Sequence, residues 1–310
     1  MQSFKSRIVL GLIKNRHLFS FQLRPKPFDN SPEGIIKLRK KTEKAGRMFG
    51  RLPENLIIEH FTIGNMYAEW LRIPEANKKK ALLYFHGGMY VIGSPQSHRQ
   101  HVIKFVKGGK INALVFDYRL APEHPFPQGL EDALAAYDYL LDEGFEPTDI
   151  AFAGDSAGGG LCLATLLALK DKGIPLPAAA AVLSPWTDLS LSGESYIKNA
   201  KTCVSPEGSA QSCSILYAGK EDRTNPWISP LYGDLTGLPP LHISVGSDEI
   251  LLDDSLSFAD KARKAGVDVT LAVGEGMCHC YPAFSGIFAE ATIVMTQIGQ
   301  FLCRHLNQCS

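Results

Sequence analysis

The chain has 310 residues, 45% of them apolar and 21% charged, an ordinary globular mixture long enough for one large core or two smaller ones. Thirty-two basic side chains balance thirty-two acidic ones, so no net field draws nucleic acid or an anionic membrane, and neither is expected as a partner. Seven scattered cysteines, an odd number, do not make the framework of a secreted disulfide protein, and a reducing compartment, the cytoplasm, is expected.

The chain opens on Ile8-Val9-Leu10-Gly11-Leu12-Ile13 between Lys5/Arg7 and Lys14/Arg16. That run falls below the roughly 7–15 residues of a signal-peptide core, and no small-x-small site follows, so an amphipathic helix is expected. Nothing approaches the run of about 20 apolar residues that spans a bilayer. From Asn55 onward, eight strand-like runs follow: 56–61, 66–73, 81–85, 113–116, 150–153, 179–183, 241–245 and 269–273. Helical patterns at 130–141, 161–170, 255–265 and 287–306 alternate with them. This order predicts an α/β fold: a mostly parallel eight-stranded sheet with helices on both faces and an antiparallel hairpin at its edge. Residues 1–50, helical and rich in Lys and Arg, and 188–226, polar with scattered Gly, Ser and Cys, fit no sheet layer. Together they are expected to form a small helical cap, residues 1–50 being its N-terminal part, over a main domain of residues 51–310 that contains 188–226.

Function in such sheets sits at the carboxyl ends of the strands. The strand at 81–85 runs into His86-Gly87-Gly88-Met89-Tyr90. Glycines let a loop pass close to a substrate, and fixed backbone N–H groups stabilise the oxyanion of acyl transfer. The segment matches the H-G-G-G loop of lipases and esterases except that Met89 replaces the third glycine while keeping its N–H. His86 and Gly87 support this loop; His86 is read as a brace, not as a base. The strand at 150–153 runs into Gly154-Asp155-Ser156-Ala157-Gly158 and a helix, the pattern of a nucleophile elbow. Glycine two residues either side of the serine gives the backbone room to double back and expose Oγ.

Nine histidines compete for the base. In the α/β-hydrolase order it comes last, beyond the final strand, which selects His279 in Gly276-Met277-Cys278-His279-Cys280-Tyr281. His305 also lies late but ends a helix. Cys278-His279-Cys280 lacks the second ligand cluster of a structural zinc site, and no metal is expected. The acid should follow the strand at 241–245, where Asp248, Glu249, Asp253 and Asp254 are available; three of these are expected to be surface or helix N-terminal charges, and spacing alone leaves Asp248 and Glu249 open.

With Asp117-Tyr118-Arg119-Leu120-Ala121-Pro122-Glu123-His124-Pro125-Phe126-Pro127, Ser184-Pro185-Trp186, Asp188-Leu189 and Ser229-Pro230-Leu231-Tyr232 added to these motifs, essentially the whole chain resembles the bacterial hormone-sensitive lipase family of α/β-hydrolase esterases. The branch it is most similar to includes monoterpene ε-lactone hydrolases and acetyl esterases. In the family the catalytic aspartate lies ten residues after the first proline of Leu-Pro-Pro, four before a second aspartate and sixteen before Ala-Gly-Val. Counted from Pro239, Asp253 and Ala265, all three spacings meet at Glu249, a departure from the family's aspartate, with Asp248 the alternative.

The resemblance implies a serine carboxylesterase for short- to medium-chain esters. Ser156 is its nucleophile, His279 its base and Glu249 its acid, with the N–H groups of Gly88, Met89 and Ala157 as the oxyanion hole and no cofactor. Arg119 and Glu123 are expected to brace the loop near the oxyanion segment, and Cys280 to be a small packing residue. Lactone hydrolysis by the same triad and a non-catalytic receptor on this fold are the alternatives. The partner is then a small ester or lactone, and the resemblance also implies a homodimer paired through the last strand or helix.

Overall fold

The structure, a computed structural model, describes residues 3–14, 27–48 and 52–308. Arg16, His17 and Cys309 lie outside the described residues. Eight strands, β1 (Ile57–Ile63), β2 (Met66–Arg72), β3 (Asn77–Phe85), β4 (Ile111–Phe116), β5 (Ile150–Asp155), β6 (Ala179–Leu183), β7 (Leu241–Gly246) and β8 (Val269–Gly274), join in the order β1-β2-β4-β3-β5-β6-β7-β8. β1 and β2 form the antiparallel edge hairpin, β2 also runs antiparallel to β4, and every later pairing is parallel. β5 and β6, covered on both faces, are buried at every residue and read as continuous apolar runs, whereas edge strand β1 is mostly exposed.

Around the sheet lie α1 (Phe4–Lys14), α2 (Pro32–Met48), α3 (Pro95–Gly109), α4 (Gln128–Asp142), α5 (Ala157–Asp171), α6 (Ser195–Lys198), α7 (Ser209–Ala218), α8 (Leu252–Lys264) and α9 (Ala289–His305). The period-two alternation of each strand divides the core into two layers. Leu83, Phe85 and Phe152 face α4, α5 and α8 through Tyr137, Leu163 and Phe258. Leu82, Tyr84 and Ala153 face α3 and α9 through Phe105, Val106, Ile298 and Leu302.

The strand and helix expectations hold to within a few residues, with β3 starting four residues early at Asn77. The sequence reading missed α3. It is opened by a capping box between Ser94 and Ser97, with Pro95 at its first position. Its inward face carries the buried polar residues Ser97 and His98, which break the apolar stripe that would have announced it.

α1 docks on the α3–α9 layer through Leu10, and Ser6 Oγ donates to Glu290 Oε2 at 2.6 Å. α2 packs on α3, and its Arg39 donates to the carbonyls of Val91 and Ala121 and forms a two-pronged pair with Glu123. Phe28 N donates to Glu207 O at 2.9 Å, a direct link between the N-terminal segment and residues 188–226.

Phe152 is fully buried between the rings of Phe85 and Tyr137, at 5.1 and 5.3 Å. Phe152→Ala is expected to cost about 3–5 kcal/mol in guanidinium unfolding, while Ile197→Ala, at a side chain 84% exposed, changes the midpoint little.

Candidate active site

Ser156 sits between β5 and α5 with φ 55 and ψ −123, a backbone conformation that costs a non-glycine residue about 1–3 kcal/mol. Ser156 N donates to Leu183 O at 2.8 Å and Ser156 O accepts from Trp186 N at 3.0 Å, so neighbouring β6 and the turn after it hold the strained residue. A Cβ at Gly154 would lie 2.6 Å from Gly158 O, and one at Gly158 would lie 2.1 Å from Phe85 O and 2.3 Å from His86 O. Neither glycine has a positive φ. Both are required by close approach: the first turn of α5 crosses directly over the end of β3.

That crossing joins the elbow to the glycine loop. Asp155 Oδ1 accepts from Gly87 N at 3.0 Å and from Tyr84 OH at 2.8 Å. A Cβ at Gly87 would meet Asp155 Oδ2 at 2.2 Å. Gly88 has φ 127, where glycine is favoured, and its carbonyl accepts from Val91 N and Ile92 N. The N–H groups of Gly88, Met89 and Ala157 donate to no protein acceptor among the described residues, and Ala157 begins α5, where helix N–H groups are unpaired. His86 is fully buried, stacks on Tyr118 at 4.2 Å and gives its Nδ1 proton to Gly87 O. Burial, with the neighbouring His98, pushes its pKa down to about 3, so the ring stays neutral as a brace.

His279 lies in the turn beyond β8, and its Nδ1 is 2.5 Å from Glu249 Oε2. Glu249 is fully buried, and its other oxygen accepts from Ser184 Oγ at 2.6 Å and Gly246 N at 2.7 Å. Asn199 Nδ2 donates to the carbonyls of Ser247 and Glu249 and fixes that loop. Asp248 is only partly buried and accepts from Ser247 Oγ. Geometry thus brings Glu249, not Asp248, to the imidazole.

The Glu249 bond holds the proton on Nδ1 and leaves the Nε2 lone pair for base chemistry, with Cys280 Sγ 3.5 Å from it. Burial pulls the His279 pKa down, but the adjacent Cys280 sulfur and the buried Glu249 carboxylate together outweigh it and raise the pKa well above 6.5. Burial pushes the Cys280 thiol up, which keeps it protonated and consistent with packing.

Other expectations fall differently. Asp254 is no surface charge: it is buried, Oδ2 accepts from Thr187 N and Asp188 N, and burial pushes its pKa up to about 8. Arg119 and Glu123 are placed as braces: Arg119 ties its loop to Gln128 O, Glu131 and Asp132 of α4, and Glu123 holds Arg39 of α2 against the carbonyls of Val91 and Ala121. The sequence reading assigned no role to Ser184 or Asp155. Ser184 Oγ also accepts from Cys280 N at 2.9 Å, so one hydroxyl ties the Glu249 and His279 loops together. Its position at the end of β6, beside the elbow strand, was the available signal.

A family model described as the alpha/beta hydrolase fold matches residues 82–283. An acetyl-hydrolase of Streptomyces hygroscopicus is 40% identical over 263 residues, 84% of this chain and 87% of that protein. An esterase of Acinetobacter venetianus is 33% identical over 266 residues, covering 85% and 87%. Among solved structures, an esterase from the bacterial hormone-sensitive lipase family superposes with a TM-score of 0.87 at 38% identity over 99% of each chain. An esterase/lipase from an uncultured bacterium gives 0.89 at 36% identity, covering 98% of this chain and 99% of that one.

The groups that face the His279 ring are Glu249 and the Cys280 thiol. Because the resting pKa is raised and only the neutral ring accepts a proton, kcat/KM should climb with pH through an inflection above about 6.5. A profile already flat at that pH contradicts the arrangement.

Proposed function

The chain belongs to the α/β-hydrolase fold family, among the bacterial hormone-sensitive-lipase esterases, and is a serine carboxylesterase; from that premise we propose that its chemistry runs through Ser156, His279 and Glu249. His279 Nε2 takes the Ser156 proton as Oγ attacks the ester carbonyl, and Glu249 orients the ring and stabilises the imidazolium. The N–H groups of Gly88, Met89 and Ala157 hold the oxyanion, whose charge develops where these donors have no protein partner. His279 then protonates the leaving alcohol. A water deprotonated by the same ring attacks the acyl-enzyme, and the proton returns to Ser156 as the acid departs. The observation that carries this reading is the 2.5 Å contact between His279 Nδ1 and a fully buried Glu249 carboxylate.

Short- to medium-chain esters are the proposed substrates, with the acetyl group in the name of the Streptomyces relative as the short end of the range. Residues 1–50 and 188–226 are proposed as the cap that walls the acyl and alcohol sites, a reading supported by the bond from Phe28 N to Glu207 O. No helix among the described residues is long and apolar enough to cross a membrane. The cytoplasmic location is proposed on the buried free thiols of Cys162, Cys203, Cys213, Cys278 and Cys280. Pairing of two copies at the free edge of β8 is proposed on the exposed Val273 of that strand and Ile293 of α9.

Tested on p-nitrophenyl esters of increasing acyl length alongside a lactone series, turnover should be highest on the short and medium esters. Ser156→Ala should lose about 10⁴-fold or more, and Glu249→Ala about 10³–10⁴-fold. Asp248→Ala should stay within about threefold of the parent, as expected of a side chain outside the reacting groups. The reverse order at 248 and 249 overturns the acid assignment, and faster turnover of lactones than of any ester overturns the substrate class.

A further inference from the structure

Beneath the elbow, on the α3 face of the sheet, a second group of side chains converges that the ester chemistry does not use as reacting atoms. His98 and His101 stand three residues apart on α3, hence on one helix face, and meet Asp155 at the end of β5. One ligand atom from each lies within 4.8 Å of the others, and His98 Nε2 is 3.7 Å from Asp155 Oδ2. His98 and Asp155 are both buried.

The hydrogen-bond accounting singles out these atoms. His98 Nδ1 lies 3.0 Å from Ser97 Oγ and 3.2 Å from the carbonyl of Ser94, which leaves Nε2 as the ring nitrogen that faces Asp155. Asp155 spends Oδ1 on Gly87 N and Tyr84 OH, leaving Oδ2 to face His98. The buried Nδ1 of His101 has no protein partner. Two imidazoles and a carboxylate thus bring one donor atom each to a single place, and a cation there would satisfy all three. We propose that His98, His101 and Asp155 bind a divalent transition-metal ion of the zinc type under the nucleophile elbow.

Two imidazoles and one carboxylate are a donor set suited to Zn²⁺ or Co²⁺, with a fourth position for water. With the metal on Nε2, His98 Nδ1–H would donate to Ser94 O, 3.2 Å away, and that bond would hold the ring in the ligating tautomer. Tetrahedral zinc places its ligand atoms roughly 3.3 Å apart, so binding draws this group together by about 1 Å. Because the carboxylate that would take the metal also holds Gly87, occupancy is coupled to the glycine loop.

The test uses the purified full chain, stripped with a chelator and titrated with Co²⁺ and then Zn²⁺. Co²⁺ should give visible d–d bands that saturate at one equivalent and are displaced by Zn²⁺. Zinc at about a hundredfold excess over its Kd should raise the thermal midpoint by roughly 3–6 °C. His101→Ala and His101→Gln, shown by circular dichroism to be folded, should lose both responses. An absent response in the parent chain, as an ordered water between the three atoms would give, overturns the proposal. So does an unchanged response in both variants, or an intense thiolate-to-cobalt charge-transfer band, which would assign the ion to cysteines.

Discussion

Everything at this site follows from one close crossing, in which the first turn of α5 passes over the end of β3 with no room for a side chain. A Cβ at Gly158 would stand 2.1 Å from the carbonyl of Phe85. The glycines are therefore needed for proximity between two segments, and the strained φ of 55 at Ser156 is what turns the chain sharply enough to achieve it. Because strand and helix are so close, Asp155 reaches Gly87 N, and the residue before Ser156 sets the height of the glycine loop. Ser156 and the N–H groups of the glycine loop are thereby fixed relative to each other, the preorganisation that the proposed oxyanion stabilisation requires.

The other half of the site hangs on a buried carboxylate. Burying the Glu249 carboxyl group in the core is tolerable only with its oxygens satisfied, and it has three partners: His279, Ser184 Oγ and Gly246 N. These come from the ends of β6 and β7 and the turn after β8, so the parallel order of the last three strands gathers them at one edge. Ser184 has the widest reach, since its hydroxyl donates to Glu249 and accepts from Cys280 N. The glutamate reaches the imidazole from a loop that Asn199 pins at two carbonyls.

Much of this was legible in the sequence because the signals are local. Gly154 to Gly158 and His86 to Met89 encode turns in consecutive residues, and β5, β6 and β7 announce themselves as unbroken apolar runs. What stayed hidden depends on partners distant in the chain. Asp248 and Glu249 are equivalent by local chemistry; which one turns inward is decided by Ser184, some 65 residues earlier. Asp254 reads as a helix N-terminal charge, yet it is drawn into the core by the N–H groups of Thr187 and Asp188. α3 is hidden in the pattern because its inward positions include His98, whose buried neighbour Asp155 is distant in the chain.

The central claim is that Ser156 is a nucleophile activated through His279 by Glu249. It is tested most directly by reacting the protein with a fluorophosphonate ester and locating the adduct by peptide mass mapping. The account predicts one phosphonyl group per chain, on the Ser156 hydroxyl, formed rapidly in the parent chain and at least about a hundredfold more slowly in Glu249→Ala. An adduct on Cys280 or another residue, or equal labelling rates in the two proteins, would contradict it.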